Sequence, residues 1–578
     1  MMPDAPFNIS QYLPQRAREA PDRAAVICTH APDERGRTQL SFGEMNLESD
    51  QLAWGLTELG LAPGTRTLIM LRPGLEFITL TFALFKLGAV PVLIDPGMGR
   101  KNLLDCIKQV RAEAMIAVPL AHAIRTILGH EAFDGLKLKI TAGRRWFWGG
   151  PTLKHARAAG KTARPFPIAK TTRSSPAAIL FTTGSTGIPK GVLYQHGMFG
   201  AQVEAIRTQY GIEPGEVDLP AFPLFALFST ALGTTCVIPE MDPTRPAQCD
   251  PAKIVRAIQA HNVTYSFGSP AIWKRVGPYC IDKGITLPGL KRILMAGAPV
   301  RGDVLAPFVK ILGPGADTHI PYGATEALPV ASIRGSEVLN ETWALTRQGR
   351  GYCVGKPLAG ITVRIDTPAP LSPPGRGVGG EGQAHLISKS LGNSRANPSP
   401  PAPLPKRERG ELQQIGEILV SGAVVTQEYF EMPEQTRAAK VIDADGLLWH
   451  RMGDMGYLDD TGRLWFCGRK AHRVVTPEKT FYSVCCEALF EEAFEKKVSA
   501  KCRAALVSVN GHPVIIMEAI PISLDLKSWR PANPITDSID AVLYHPQPFP
   551  VDIRHNAKIN REQLGQWAES RALEAGRA

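Results

Sequence analysis

The chain has 578 residues, 44% hydrophobic and 21% charged, which is the balance of a globular enzyme and excludes disordered, fibrous and membrane-spanning classes. That length is too great for one hydrophobic core, so roughly two to five domains are expected. The net charge of +11 favours acidic ligands such as nucleotides, or is simply a solvated basic surface; without an RNA-binding signature or zinc-finger spacing, nucleic acid is not an expected partner.

The ten cysteines include no C-x-x-C pair, so reduced and mostly buried thiols in a cytoplasmic protein are expected. The start, Met1-Met2-Pro3-Asp4, lacks the basic and apolar run of a signal peptide. The longest apolar region, Leu80 to Ile94, is broken by Lys86 and Pro91 and is too short to cross a bilayer.

In chain order, Ser41-Phe42-Gly43-Glu44 reads as a capping box opening a helix. Thr67 to Leu71 reads as a strand, Leu75 to Leu87 as a helix and Ala89 to Ile94 as a strand again. Such units predict a mainly parallel, doubly wound sheet. Residues 144–173 then carry Arg144, Arg145, Lys154, Arg157, Lys161, Arg164, Lys170 and Arg173 with no acid, beside Trp146, Phe147 and Trp148. Two readings stand: peripheral contact with a membrane or acidic partner, or a solvated loop that packs its aromatics inward, and the second is preferred. Residues 368–413 lose apolar periodicity and fill with Pro, Gly and Arg, which predicts a mobile insertion. Its flanks, Val354 to Ile365 and Gly416 to Val420, read as two halves of one β unit, with the insertion at a hairpin tip.

The most informative stretch is Ile179-Leu180-Phe181-Thr182-Thr183-Gly184-Ser185-Thr186-Gly187-Ile188-Pro189-Lys190. An apolar strand enters a loop of glycines and hydroxyls that ends on a lysine. Glycines let backbone amides approach an anion, hydroxyls donate, and Lys190 adds charge for a polyphosphate. It is not the P-loop of nucleoside triphosphatases, because Lys190 follows a proline rather than a glycine.

This loop resembles the phosphate-binding signature of the adenylate-forming superfamily of acyl-CoA synthetases, adenylation domains and luciferases, and further motifs follow in that family's order. Gly297-Ala298-Pro299 resembles the segment lining its adenine pocket, and Tyr322-Gly323-Ala324-Thr325-Glu326 its next motif. The resemblance implies that Tyr322 stacks on adenine, Thr325 meets the α-phosphate and Glu326 holds Mg²⁺. Trp449 to Tyr457 through Gly468-Arg469 resembles the ribose motif, with Asp454 accepting from the ribose hydroxyls and Arg469 beside it; Asp459 to Gly462 within it reads as a hairpin turn. His555 to Arg561 resembles the C-terminal motif, in which Lys558 would bridge carboxylate and α-phosphate during adenylation. Implied are an α/β fold, a large N-terminal domain (1–467) of doubly wound mixed sheets with a β-barrel-like part, and a small mobile α+β domain (468–578).

Three departures narrow the function. Ala471 stands where the family's hinge has Asp or Lys. Glu478, in Val475-Thr476-Pro477-Glu478-Lys479, stands where a glycine borders the pantetheine tunnel. Ala226, after Phe225 near the acyl site, replaces a frequent histidine and either leaves room for a branched acid or is ordinary packing. In these features the chain is similar to the β-lactone synthetases of bacterial olefin biosynthesis. That similarity implies ATP, Mg²⁺, a 2-alkyl-3-hydroxy fatty acid, ring closure by the substrate's own hydroxyl, and association with other enzymes of that pathway. The alternatives are a long-chain or branched acyl-CoA ligase and a non-catalytic nucleotide-binding assembly subunit. His319, near Tyr322, reads as a structural histidine.

Overall fold

The computed structural model describes every residue except 1–4, 34, 130, 163, 183–188, 223–224, 368–413, 519–530, 532, 552–558 and 575–578. Two large sheets carry the first four-fifths of the chain. In the six-stranded sheet the order is Leu138–Thr141, Ala114–Ala117, Arg66–Met70, Val90–Leu93, Pro176–Thr182, Lys190–Gln195, parallel up to the last, antiparallel pair. The expected units are there. Ser41 accepts from the Glu44 amide and Glu44 reaches back to the Ser41 amide, capping the helix Phe42–Glu58. The helix Leu75–Leu87 is buried at every position but Glu76, because it lies between a sheet and other helices. Its one buried cation, Lys86, meets Asp50 at 2.6 Å and so is not left uncompensated.

The second sheet has 14 strands. Its parallel part runs through Val217–Pro220, Tyr265–Gly268, Arg292–Met295 and Asp317–Ala324. At Ala327–Arg334 the pairing turns antiparallel and continues through Tyr352–Pro357, Leu464–Arg469, Leu448–Leu458, Gly416–Gly422 and Ile361–Asp366. These antiparallel strands curl around one apolar interior that includes Val330, Val354, Ile418, Val420, Met452 and Leu464, the barrel-like part. Ile361–Asp366 and Gly416–Gly422 pair residue for residue from Ile361↔Gly422 to Asp366↔Glu417, as a hairpin interrupted at its tip requires. The insertion 368–413 itself lies outside the described residues. Tyr352–Pro357 is a strand of its own, paired to Ala327–Arg334 and Leu464–Arg469 rather than sharing a unit with Ile361–Asp366.

Beyond Arg469 a small α+β part follows: the helix Ser483–Val498, the strands Ala504–Val509, His512–Glu518 and Ala541–His545, and the helix Arg561–Glu574. It has separate apolar cores. Ion pairs from Arg301 to Glu491, Arg347 to Glu492 and Lys501 to Asp303 (2.7 Å) tie it to the larger part. All ten cysteines are free and buried, as expected. No described helix is long and apolar enough to cross a membrane.

The aromatics at 146–148 divide. Trp148 packs inward, donating from Nε1 to Thr141 Oγ1 at 2.9 Å and stacking on His122. Trp146 and Phe147 are exposed, so the expected inward packing holds for one of the three.

Candidate active site

A single cavity of about 1380 Å³ opens between the two sheets and reaches the start of the C-terminal part. It brings together Lys190, Gly297-Ala298-Pro299, Tyr322 through Glu326, Asp454 and Arg469, with Phe225 and Ala226 on its apolar side. These segments lie up to 279 residues apart in the chain, from Lys190 to Arg469. The loop Thr183 to Gly187 and Lys558 lie outside the described residues, as does the Thr182 side chain.

Strand register places the ribose-motif pair. Asp454 and Arg469 face each other across adjacent antiparallel strands, and Arg469 Nη1 meets Asp454 Oδ1 at 2.9 Å. The other carboxylate oxygen accepts from Tyr322 Oη at 2.6 Å. Burial and this carboxylate push the Tyr322 phenol well above its ordinary range, while Asp454 helps hold Arg469 charged. A charged, buried hydrogen-bond acceptor beside an aromatic ring suits a hydroxylated, planar ligand.

The second cluster surrounds Glu326. Lys190 opens its strand opposite Thr182 of the neighbouring antiparallel strand, and it lines the cavity. Its ammonium stands 4.9 Å from the Tyr429 ring centroid. Tyr429 Oη in turn donates to Glu326 Oε1 at 2.8 Å. Behind Glu326, buried Lys440 donates to Thr426 Oγ1 at 2.9 Å, and Thr426 donates to the Glu326 carbonyl. Burial pushes Lys440 down to about 7, against the opposing pull of Glu326. Nearby His450, which also lines the cavity, is held neutral by burial and by Lys440. Among the described residues no cluster of three or more His, Cys, Asp or Glu side chains could hold a metal. A lone carboxylate such as Glu326 could hold a magnesium ion only with phosphate oxygens and water completing its shell.

Backbone close approach explains one glycine. A Cβ at Gly323 would meet the Ala327 carbonyl oxygen at 2.7 Å, so the strand pairing there excludes larger residues.

The remaining wall is apolar. Phe77, Ile78 and Phe85 come from the six-stranded sheet's helix, and Phe199, Leu232 and Leu294 from the other side. Phe225 stacks on Phe267 with centroids 3.5 Å apart, and Ala226 opens the helix Ala226–Leu232. A buried acid lies within this wall. Asp218, 3% exposed, accepts from Ser229 Oγ at 2.6 Å, and burial raises its carboxyl to about 8.

Tyr429, Lys440 and Asp218 fall in no motif of the sequence, and His450, although inside the Trp449 to Tyr457 segment, carries no signal of its own there. Ala471 lines the cavity, whereas Glu478 is exposed in the short turn between Val474–Val475 and Thr480–Phe481. His319 is outside the cavity lining, packed edge-on against Tyr210 and pushed down to about 4 by burial, in keeping with a structural role.

Residues 13–382 match the AMP-binding enzyme family. The chain is 42% identical to the olefin beta-lactone synthetase of Stenotrophomonas maltophilia, over 98% of each chain. It is 40% identical to the olefin beta-lactone synthetase of Xanthomonas campestris pv. campestris, over 97% of each. Among solved structures, the amide bond synthetase McbA from Marinactinospora thermotolerans shares the fold, with a TM-score of 0.72 and 18% identity over 97% of this chain and 99% of that one. With these matches spanning the cavity motifs, the chain belongs to the AMP-binding enzyme family and is an ATP-dependent, adenylate-forming ligase.

Proposed function

We propose that the protein converts a 2-alkyl-3-hydroxy fatty acid to a β-lactone, with ATP cleaved to AMP and pyrophosphate. The observation that carries this reading is one cavity that joins the nucleotide motifs to a large apolar chamber, in a chain 42% identical over nearly its full length to an olefin beta-lactone synthetase. A four-membered lactone requires a hydroxyl on the third carbon, which fixes the substrate class.

In the first step a carboxylate oxygen attacks the α-phosphorus and pyrophosphate leaves. Lys190, with the 183–188 loop, would hold the departing phosphates, and Lys558 would bridge the carboxylate and α-phosphate as charge develops. Tyr322, with Gly297-Ala298-Pro299, would hold adenine, Thr325 the α-phosphate, and Asp454 with Arg469 the ribose. A magnesium ion on Glu326 would supply charge neutralisation for the phosphates. In the second step the substrate's 3-hydroxyl oxygen bonds to the activated carbonyl carbon, the bond to AMP breaks, and the hydroxyl proton is released. The attack is intramolecular, so holding the chain folded at the third carbon supplies much of the rate. No second substrate enters.

The small part from 468 onward would act as the lid that carries Lys558 to the site, with the division at 467/468. Association with other enzymes of olefin formation, cytoplasmic location and peripheral membrane contact through 144–173 belong to the same reading.

The test supplies ATP, Mg²⁺ and a 2-alkyl-3-hydroxy acid with and without coenzyme A. Lactone and AMP formed without coenzyme A support the reading; a thioester formed only with it favours the acyl-CoA ligase instead.

A further inference from the structure

Large hydrophobic side chains that stand in water are few in this protein, and they are not scattered. Of the eleven that are exposed among the described residues, five lie at one edge of the six-stranded sheet: Leu120, Ile124, Ile127, Trp146 and Phe147. The helix Pro119–Leu128 connects the strand Ala114–Ala117 to the edge strand Leu138–Thr141. Positions 120, 124 and 127 fall on one stripe of that helix by its 3.6-residue period. His122 and Ala123 face inward, so the helix has an apolar side in the core and a second in solvent. Ile127 is 75% exposed among the described residues.

Trp146 and Phe147 follow the edge strand and are held out by their neighbour. Trp148 is pinned by Thr141 and stacks on His122 of the same helix, with the Trp146 ring 5.5 Å and the Phe147 ring 5.1 Å from it. The aromatic tip thus packs on the helix through Trp148. Within the helix and the aromatic tip themselves the charge has one sign. The helix contains Arg125 and no acid, and Arg144 and Arg145 are exposed directly before the aromatic pair. The first acid after the helix, Glu131, is paired with Lys108.

We propose that this face, the helix stripe of Leu120, Ile124 and Ile127 with Trp146 and Phe147, seats the enzyme on an anionic phospholipid bilayer. A convex helix with protruding aliphatic tips suits the boundary between headgroups and acyl chains, where tryptophan also partitions. The arginines then meet lipid phosphates within a Debye length. The proposal goes beyond 144–173 by making the helix the main contact, and it rests on the proposed function only in that a long-chain acid resides in the lipid phase. None of the five residues lines the cavity, so docking and catalysis separate experimentally.

The experiment is co-sedimentation of the full-length protein, without substrate, with vesicles of phosphatidylcholine alone or with one quarter phosphatidylglycerol. Three double variants are compared: Ile124→Ser with Ile127→Ser, Trp146→Ala with Phe147→Ala, and Arg144→Glu with Arg145→Glu. Wild type should bind the anionic vesicles, more weakly at high salt, and each double variant should lose at least tenfold in partition while keeping carboxylate-dependent pyrophosphate exchange. Indifference of the wild type to phosphatidylglycerol would overturn the proposal. So would variants that bind as wild type does, or variants that change the oligomeric state with vesicle binding intact, which would make the face a protein contact. Loss of pyrophosphate exchange in the wild type would instead count against the proposed reaction and leave the vesicle result standing.

Discussion

Replacing Asp218 by Asn should make the protein more stable near neutral pH. Asp218 sits in the apolar wall of the cavity, and no cation is among the causes of its shift; burial raises its carboxyl from 3.8 to about 8. The folded chain therefore keeps a proton that the unfolded chain releases above pH 3.8. The sign follows: stability from this group is fully present below the unfolded value and is lost as pH rises through the window to about 8. At pH 7 about three pH units of that window have been crossed, and at roughly 1.36 kcal/mol per unit the penalty is about 4 kcal/mol. Asn removes the ionisation but keeps an acceptor for Ser229 Oγ; a weakened hydrogen bond costs about 1 kcal/mol. The net gain is about 3 kcal/mol at pH 7, falls to zero at about pH 4.5 and becomes a loss of about 1 kcal/mol at lower pH. Urea unfolding of both proteins from pH 4 to pH 9 measures it. A variant no more stable than wild type at pH 7, or a difference that does not grow with pH, would refute the reasoning.

Three further outcomes are expected. Lys558→Ala should abolish carboxylate-dependent pyrophosphate exchange while leaving the thermal melt unchanged; retained exchange would remove Lys558 from the reaction. Asp454→Asn takes the charge from a carboxylate bonded to both Arg469 and Tyr322, and losing a charge-assisted contact to ribose, worth about 1.5–3 kcal/mol, should raise the KM for ATP about ten- to a hundredfold. Ala226→Phe fills the acyl side of the cavity, so kcat/KM should fall at least tenfold for a 2-alkyl acid and far less for a straight-chain one; equal losses for both would mean that Ala226 is ordinary packing.

Local structure was legible wherever one segment decides it. The Ser41 cap needs only Glu44 three residues on, and the helix Leu75–Leu87 declares itself by an apolar run long enough for more than three turns. The two strands around the insertion were legible because both sides of the gap keep the same alternation, and they pair without a slip. That Lys190, Gly297 to Pro299, Tyr322 to Glu326, Asp454 and Arg469 share one cavity was legible from the order of their motifs in the sequence. What was not legible depends on distant pairing. Tyr429 reaches Glu326 across 103 residues and Lys190 across more, from a segment with no motif. Asp218 reads as one polar residue in a strand, and only the fold makes it a carboxyl in an apolar chamber. The helix Pro119–Leu128 has inward and outward apolar positions, and sequence cannot say which of them meets water. Trp148 and Trp146 are two residues apart, yet one is 6% and the other 52% exposed, because a single hydrogen bond to Thr141 selects between them.

The order of bond making is the centre of the account, and oxygen tracing reads it directly. A 2-alkyl-3-hydroxy acid labelled with ¹⁸O in both carboxylate oxygens is given to the enzyme with ATP and Mg²⁺, and the AMP and lactone are weighed by mass spectrometry. Carboxylate activation followed by hydroxyl attack predicts one label in AMP, one in the lactone carbonyl and an unlabelled ring oxygen. Both labels in the lactone, with none in AMP, would mean that the hydroxyl is activated instead and would contradict it.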